Sequence, residues 1–377
     1  MQFFIFFGIV QGLLFLVHFV VYKALVKGFV VTDPHMLLAL KIIFGILSVS
    51  FFVSNVGFTS DSAVGNFLYY SAAVWLGTLW WLFLASVAIG IVYATVYAIG
   101  GDAFIGQSLN LIRSLTFVCV AAAFAMSGYG MMQGNTLREV SYTVELPNLP
   151  KEWKGKTVAF IADTHFGKVH RESHAYDVIN KLSRKNLEAV FIGGDFYDGP
   201  RMDFDSVARP FGEFKTTYGT FFVTGNHETY RNEPYVQHIE KNGIIVLKND
   251  FVNLGGLTVG GVEYSNNTRP EDLAMTLQKM RGNITAEFGD APYILLKHVP
   301  DNLDVVRDSG VNLVLSGHTH KGQMWPFSIL ARFIYKGFEY GNNTLGKLRV
   351  ITTSGAGTWG PPQRIGTQRE VVFITFE

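Results

Sequence analysis

Cysteine is nearly absent from this 377-residue chain: Cys119, inside an apolar stretch, is the only one. A single thiol makes no internal disulfide and leaves no cysteine-based zinc site to consider. Charge is scarce as well, but only in one part. Residues 1–134 carry Lys23, Lys27, Asp33, Lys41, Asp61, Asp102 and Arg113, and no other acidic or basic side chain apart from histidines. The remainder holds 27 acidic and 27 basic residues. Balanced charge gives no general pull toward a polyanion, so nucleic acid is not an expected partner. Neither an internal repeat nor a low-complexity tract is found, which excludes a repeat array.

The charge-poor part contains four apolar blocks, at residues 2–22, 36–57, 67–99 and 111–132. Crossing a bilayer takes about 20 apolar residues, so each block predicts a transmembrane helix. The first lacks a basic leading segment and is too long for a signal-peptide core, and it is expected to be retained. The third exceeds one span and is expected to tilt or project from the bilayer. Lys23, Lys27 and Lys41 flank the first connection, Arg113 flanks the third, and the second, "TSDSAVGN", has no basic residue. The positive-inside rule then places the first and third connections in the cytoplasm and everything after the fourth span outside, with Arg138 as the opposing charge. His18 is the one titratable group deep in a span. It reads either as part of a proton path or as a hydrogen-bonded packing residue, and the lack of a mid-membrane acid or base favours packing. Residues 1–134 are therefore expected to be an all-α anchor of about four helices in the cell membrane.

From residue 135 to 377 the pattern changes. Val140, Tyr142, Val144 and Leu146 alternate with polar residues, the period of a half-buried strand. Short apolar runs follow, each closed by a polar, glycine-rich loop. "TVAFIADTHFG" leads into Asp163 and His165, and "AVFIGGDFYDG" into Asp195 and Asp198. "GTFFVTGNHE" leads into Asn226 and His227, "YILLKHVP" into His298, and "NLVLSGHTH" into His318 and His320. Ala175, Val178, Ile179 and Leu182 have helical spacing. Strands mixed with helices, with ligand-type side chains gathered at strand ends, predict an α/β domain with its site on one sheet edge.

Asp163, His165, Asp195, Asn226, His298, His318 and His320 are too many donors for one ion and suit two. Their mixture of carboxylate, imidazole and amide fits Mn²⁺, Fe²⁺ or Zn²⁺ better than the all-oxygen shells of Ca²⁺ or Mg²⁺. One central aspartate must then bridge.

The blocks "DTH", "GDFYD", "GNHE", "KHVP" and "GHTH" resemble the five signature blocks of the calcineurin-like metallophosphoesterases, in the family's order across residues 157–323. The ending "GTWGPPQRIGTQREVVFITFE" resembles the branch of membrane-linked or exported bacterial phosphoesterases of the YkuE and YaeI type. The resemblance implies a four-layer αββα sandwich over residues 135–377. It also implies Asp163, His165 and His320 on one metal, Asn226, His298 and His318 on the other, and Asp195 between them. His227 takes the place of the group that contacts the scissile phosphate and protonates the leaving oxygen, while a metal-bridging hydroxide attacks phosphorus.

Other residues leave alternatives open. Asp198 reads as a ligand-orienting group or a turn former, and Glu228 as a supporting or solvated carboxylate. His170, His174 and His238 lie off the motifs and are expected on the surface. Arg364 reads either as a contact to substrate phosphate or as a structural ion pair. The segment "MWPFSILARFIYKGFEY", read as a loop, mixes aromatic and aliphatic groups with Arg332 and Lys336. It suits a surface at lipid-headgroup level, or alternatively packing inward. A bilayer and a phosphoester substrate, of a lipid or lipid-linked glycan, are the expected partners. A catalytically silent scaffold would show a broken donor set, and none of the seven is missing. A transporter or sensor would show paired intramembrane charges, which are absent from the sequence.

Overall fold

The protein was analysed as a computed structural model, which describes residues 2–56, 62–199, 202–229, 234–265 and 268–377. The connection "TSDSAVGN" falls partly outside the described residues. The chain divides into two compact units. One is Met1–Met132 with Gly360–Gln363; the other is Gln133–Trp359 with Arg364–Glu377.

The first unit is helical: α1 (Gln2–Gly28), α2 (Pro34–Val56), α3 (Ala63–Gln107) and α4 (Leu109–Asn135). All four are long and apolar enough to cross a membrane. Ile9, Leu13, Leu16 and Phe19 of α1 and Leu38, Ile42 and Ile46 of α2 are exposed, whereas Ala72, Ala73, Leu79 and Ile112 are buried. An apolar exterior of this kind suits lipid, where each backbone polar group is satisfied within its own helix. The 45 residues of α3 would extend about 67 Å at 1.5 Å per residue, more than twice the hydrocarbon thickness of about 30 Å. The helix is interrupted at Gly101, whose φ is 61°. His18 is satisfied at both ring nitrogens: Nδ1 bonds the Leu14 carbonyl at 2.7 Å, and Trp75 Nε1 donates to Nε2 at 3.0 Å. That is the packing role.

The second unit contains two six-stranded sheets. The first runs in the order β1 (Leu137–Val144), β14 (Arg369–Phe376), β2 (Thr157–Ile161), β4 (Val190–Ile192), β6 (Thr220–Phe222), β7 (Ile245–Val246). From β2 to β7 all neighbours are parallel. The second runs β12 (Gly341–Leu345), β13 (Leu348–Thr352), β11 (Leu313–Ser316), β10 (Tyr293–Leu296), β9 (Leu257–Gly261), β8 (Asp250–Leu254). Its four central strands are parallel and its two edge strands antiparallel. A small pair, β3 (Phe166–Gly167) and β5 (Tyr197–Asp198), lies in the loops beyond β2 and β4.

Strand alternation sorts side chains into three cores. Val158 and Phe160 from the first sheet meet Ile294, Leu296, Leu313 and Leu315 from the second. The intervening Ala159 and Ile161 face outward onto α5 (Glu172–Leu182), α6 (Phe204–Glu213) and α7 (Tyr235–Lys241), through Val178, Leu182, Val207, Phe211 and Ile239. On the far side, Leu295 and Val314 face α8 (Pro270–Phe288) and α9 (Leu303–Asp308), through Leu273, Leu277, Ile284 and Val306. The result is the expected four-layer α–β–β–α arrangement. The predicted helix over 175–182 forms as α5, with Ala175, Val178 and Leu182 buried. The segment read as a loop at 324–340 instead contains a helix, α10 (Phe327–Ile334). Pro326 stands just before it and Gly337, at φ 88°, just after it, positions where these residues start and stop helices.

Leu313, fully buried between the sheets, tests this packing. Leu313→Ala is expected to lower stability by about 2–5 kcal/mol, measured by denaturant unfolding of the detergent-solubilised chain.

Candidate metal centre

Five parallel strands deliver the predicted donors. Asp163 and His165 follow β2, Asp195 follows β4, Asn226 follows β6, His298 follows β10, and His318 and His320 follow β11. All stand beyond the carboxyl ends of their strands, the edge where open α/β sheets gather ligands. The backbone is bent hard to aim them. Asp163, His165, Asp195, His318 and His320 have φ between 47° and 68°, a left-handed conformation that non-glycine residues seldom adopt and that clusters at functional sites. Gly194, just before Asp195, has φ 93°, and a Cβ there would lie 2.7 Å from both Gly225 N and His298 Nδ1.

The structure brings all seven together. His298 Nε2 lies 3.2 Å from Asp195 Oδ2 and 3.1 Å from Asn226 Oδ1. His165 Nε2 lies 3.0 Å from His320 Nε2 and 3.9 Å from Asp195 Oδ2. His320 Nε2 is also 3.9 Å from Asp163 Oδ1, and the rings of His298 and His318 are 5.1 Å apart. Asp163, His165 and His320 form one possible ligand group, and Asp195, His298 and His318 form another. Asp195 also groups with His165 and His227, so its carboxylate lies between the two sets.

The donor set suits divalent cations. His165 and His320 point ring nitrogens at each other, and His165 Nδ1 is buried without a hydrogen-bond partner. Burial pushes the Asp163 carboxyl up to about 7, with His298 opposing and Asp195 adding to the rise. Burial also acts against the charged form of Asp195, yet His298, by charge and hydrogen bond, and His165 hold that carboxyl below its ordinary value. Burial holds the His165 and His320 imidazoles well below theirs. Burial disfavours the His298 imidazolium, but Asp195, by charge and hydrogen bond, and Asp163 raise its pKa to about 9; a divalent cation, which binds ionised carboxylates and neutral imidazoles, would displace that proton.

Supporting contacts resolve the alternatives left by the sequence. Glu228 is buried, and its carboxylate accepts hydrogen bonds from four backbone amides: Asp195 and Gly225 at one oxygen (3.0 and 2.7 Å), Phe196 and Tyr197 at the other (2.8 and 3.2 Å). It ties the Asp195 loop to the Asn226 loop. Asp198 Oδ1 is 3.2 Å from His227 Nδ1. Burial disfavours the His227 imidazolium, but the bond to Asp198 and the charges of Asp195, Asp198 and Glu228 outweigh it and raise its pKa to about 9. Arg364 is fully buried and donates to the carbonyls of Ser354 and Gly357 at 2.6 Å each, with Nη2 3.2 Å from His320 Nδ1. Enclosed by these carbonyls, it braces the ring of His320.

His170 corrects the expectation of a surface residue: it is 2% exposed, and its Nε2 accepts from the Thr358 amide at 2.8 Å. His174 is partly buried, and His238 bonds Asp205 at 2.9 Å. Trp359, in the quoted C-terminal segment but given no role from sequence, is exposed, and its ring stands 6.4 Å from that of His227.

The fold and this cluster together define a class: an α/β domain with a candidate divalent-metal centre, on a chain with membrane-spanning helices. Comparison with known proteins makes it specific. The family model described as calcineurin-like phosphoesterase matches residues 156–322. An uncharacterized metallophosphoesterase of Helicobacter pylori J99 is 30% identical over 264 residues, covering 68% of this chain and 70% of its own. One of Campylobacter jejuni is 30% identical over 277 residues, covering 72% of each chain. A transmembrane protein with metallophosphoesterase domain from Danio rerio is 27% identical over 278 residues, covering 70% of this chain and 62% of its own. The chain belongs to the calcineurin-like metallophosphoesterase family. These relatives establish the family and not the branch suggested by its C-terminal segment.

Replacing Glu228 tests the tie between the two loops. Glu228→Gln turns one acceptor oxygen into a donor facing two backbone amides. A loss of about 2–4 kcal/mol is expected, read by thermal unfolding.

Proposed function

We propose that the protein is a membrane-anchored, dinuclear metal-dependent hydrolase of a phosphate ester carried by a lipid or lipid-linked glycan. The observation that carries this reading is the convergence of the seven donors, with Asp195 grouped both with His165 and with His298 and His318, and Asn226 against His298. Asp163, His165 and His320 would hold one ion, and Asn226, His298 and His318 the other, with Asp195 bridging. Bound there, a pair of divalent cations, with Mn²⁺, Fe²⁺ and Zn²⁺ the candidates, supplies Lewis acidity toward a phosphoryl oxygen and toward water.

The chain's own residues supply the rest. The His227 amide donates to Asp195 Oδ1 at 2.8 Å, which fixes the loop bearing the imidazole beside the bridging carboxylate. Asp198 accepts a hydrogen bond from Nδ1 and orients the ring, and Nε2 acts as the proton donor to the leaving oxygen. Although burial opposes it, Asp198 and the nearby carboxylates Asp195 and Glu228 favour the charged form of the His227 ring. Trp359 bounds the side of the site next to His227. The lipid class of substrate is supported by the membrane-spanning helices. The basic residues flanking the first and third helix connections support an extracytoplasmic domain.

Two experiments test these assignments. Asp195→Asn is expected to abolish metal-dependent phosphoester hydrolysis and to lower the bound metal from two ions per chain, measured by elemental analysis. His227→Gln should retain both ions and lose about 10²–10⁴-fold in kcat. Retained activity in Asp195→Asn would overturn the dinuclear reading. For sidedness, Lys151→Cys in a Cys119→Ser background should react with an impermeant thiol reagent in intact cells. Labelling only after lysis would place the domain inside.

A further inference from the structure

A cavity of about 670 Å³ opens beside the candidate metal centre. Its lining includes His298 and His318 of the candidate centre, Tyr264 and Lys297, and Tyr335 and Lys336, which stand just past the end of α10. Lys297 is almost fully buried, and its ammonium is held by Asp301 and by the Val299 carbonyl at 2.6 Å. Tyr335 reaches the candidate centre, with its ring 6.3 Å from that of His318. The route from the metal centre therefore ends at α10.

The outward side of α10 is apolar and open, and it shares Ile334 with the cavity lining. Ile329, Leu330, Phe333 and Ile334 are all more than half exposed, and Phe333 is 84% exposed. At 100° per residue these four fall within an arc of about 140°. Ala331 is buried, which fixes the helix against its domain by its opposite side. Arg332 is exposed at the edge of the arc, and exposed Lys336 follows at the C-terminal end. An apolar arc rimmed by bases is the signature of a helix lying in a membrane interface, with the apolar side chains among acyl chains and the bases at anionic headgroups. The chain supplies the membrane itself: α4 ends at Asn135 and β1 starts at Leu137, so a single residue separates the last apolar helix from the domain.

Building on the phosphoesterase reading, we infer that α10 docks into the anionic headgroup layer of the bilayer that anchors the chain, and that the cavity at its end admits a lipid phosphate ester directly from that layer. Lys297, Tyr264 and Tyr335 then face the polar part of the substrate as it passes toward the metal centre.

The full chain in lipid nanodiscs tests this. In a Cys119→Ser background, Ile329→Cys is labelled with a fluorophore, and phosphatidylcholine–phosphatidylglycerol discs are made with or without brominated acyl chains. Quenching of about twofold or more is expected at Ile329→Cys, and far less at Met275→Cys, an exposed position on α8. Equal quenching at both positions overturns the proposal. So does unquenched label combined with disulfide-linked dimers through Ile329→Cys, which would make a second copy the occupant of the face. A second readout uses Leu330→Ser/Phe333→Ser. Hydrolysis of a vesicle-borne phosphate ester should fall about tenfold, with hydrolysis of a water-soluble aryl phosphate unchanged; equal loss on both substrates overturns the docking role. Absence of hydrolysis by the unaltered protein counts against the phosphoesterase reading, and the quenching result then decides the docking by itself.

Discussion

Asp163 and Asp195 are carboxylates withdrawn almost entirely from water at the shared edge of two sheets. A buried charge is costly unless groups nearby answer it, and removing one such group leaves the charge uncompensated. Much of the surrounding structure answers these two. The His318 amide donates to both oxygens of Asp163 at 2.9 Å, and the His227 amide to Asp195. Glu228 collects four amides of the loops on either side, and imidazoles from three strands close the remaining directions. The family's fold implies divalent cations at these donors, whose charge would answer what remains of the carboxylate charge.

Much of this was legible in the sequence because it depends on short-range pattern. Apolar runs of strand length ending in Asp, Asn or His identified β2, β4, β6, β10 and β11, and the four apolar blocks correspond to α1–α4. What could not be read depends on contacts between distant segments. Arg364 carries no local mark of its role, because that role is set by the carbonyls of Ser354 and Gly357 and by His320, 44 residues away. Glu228 was readable as a supporting or a solvated carboxylate, and only the folded Asp195 loop, with its amides on that carboxylate, decides for support. His170 was misjudged because the residue that covers it, Thr358, lies 188 positions along the chain. The helix at α10 was missed for a different reason: eight residues flanked by proline and glycine resemble a loop, and only the folded chain shows that their apolar side chains share one arc.

The two units answer different solvents by the same rule. Apolar side chains in the helical unit face outward, where lipid makes exposure harmless; in the domain they are enclosed by two sheets and two helical layers. The exposed arc of α10 is an apolar surface of the domain that lies outside these three cores.

The left-handed turns at Asp163, His165, Asp195, His318 and His320 also bear on how the chain tolerates change. At most positions a substitution is filtered by side-chain fit alone. At these five, whatever replaces the native residue must also accept a backbone twist that suits glycine, asparagine or aspartate and penalises β-branched residues. Random drift through this edge is therefore narrowed twice over. A descendant that abandoned the chemistry would gain by filling these turns with glycine, so that relaxed backbone, more than lost ligands alone, would mark a retired copy of the domain.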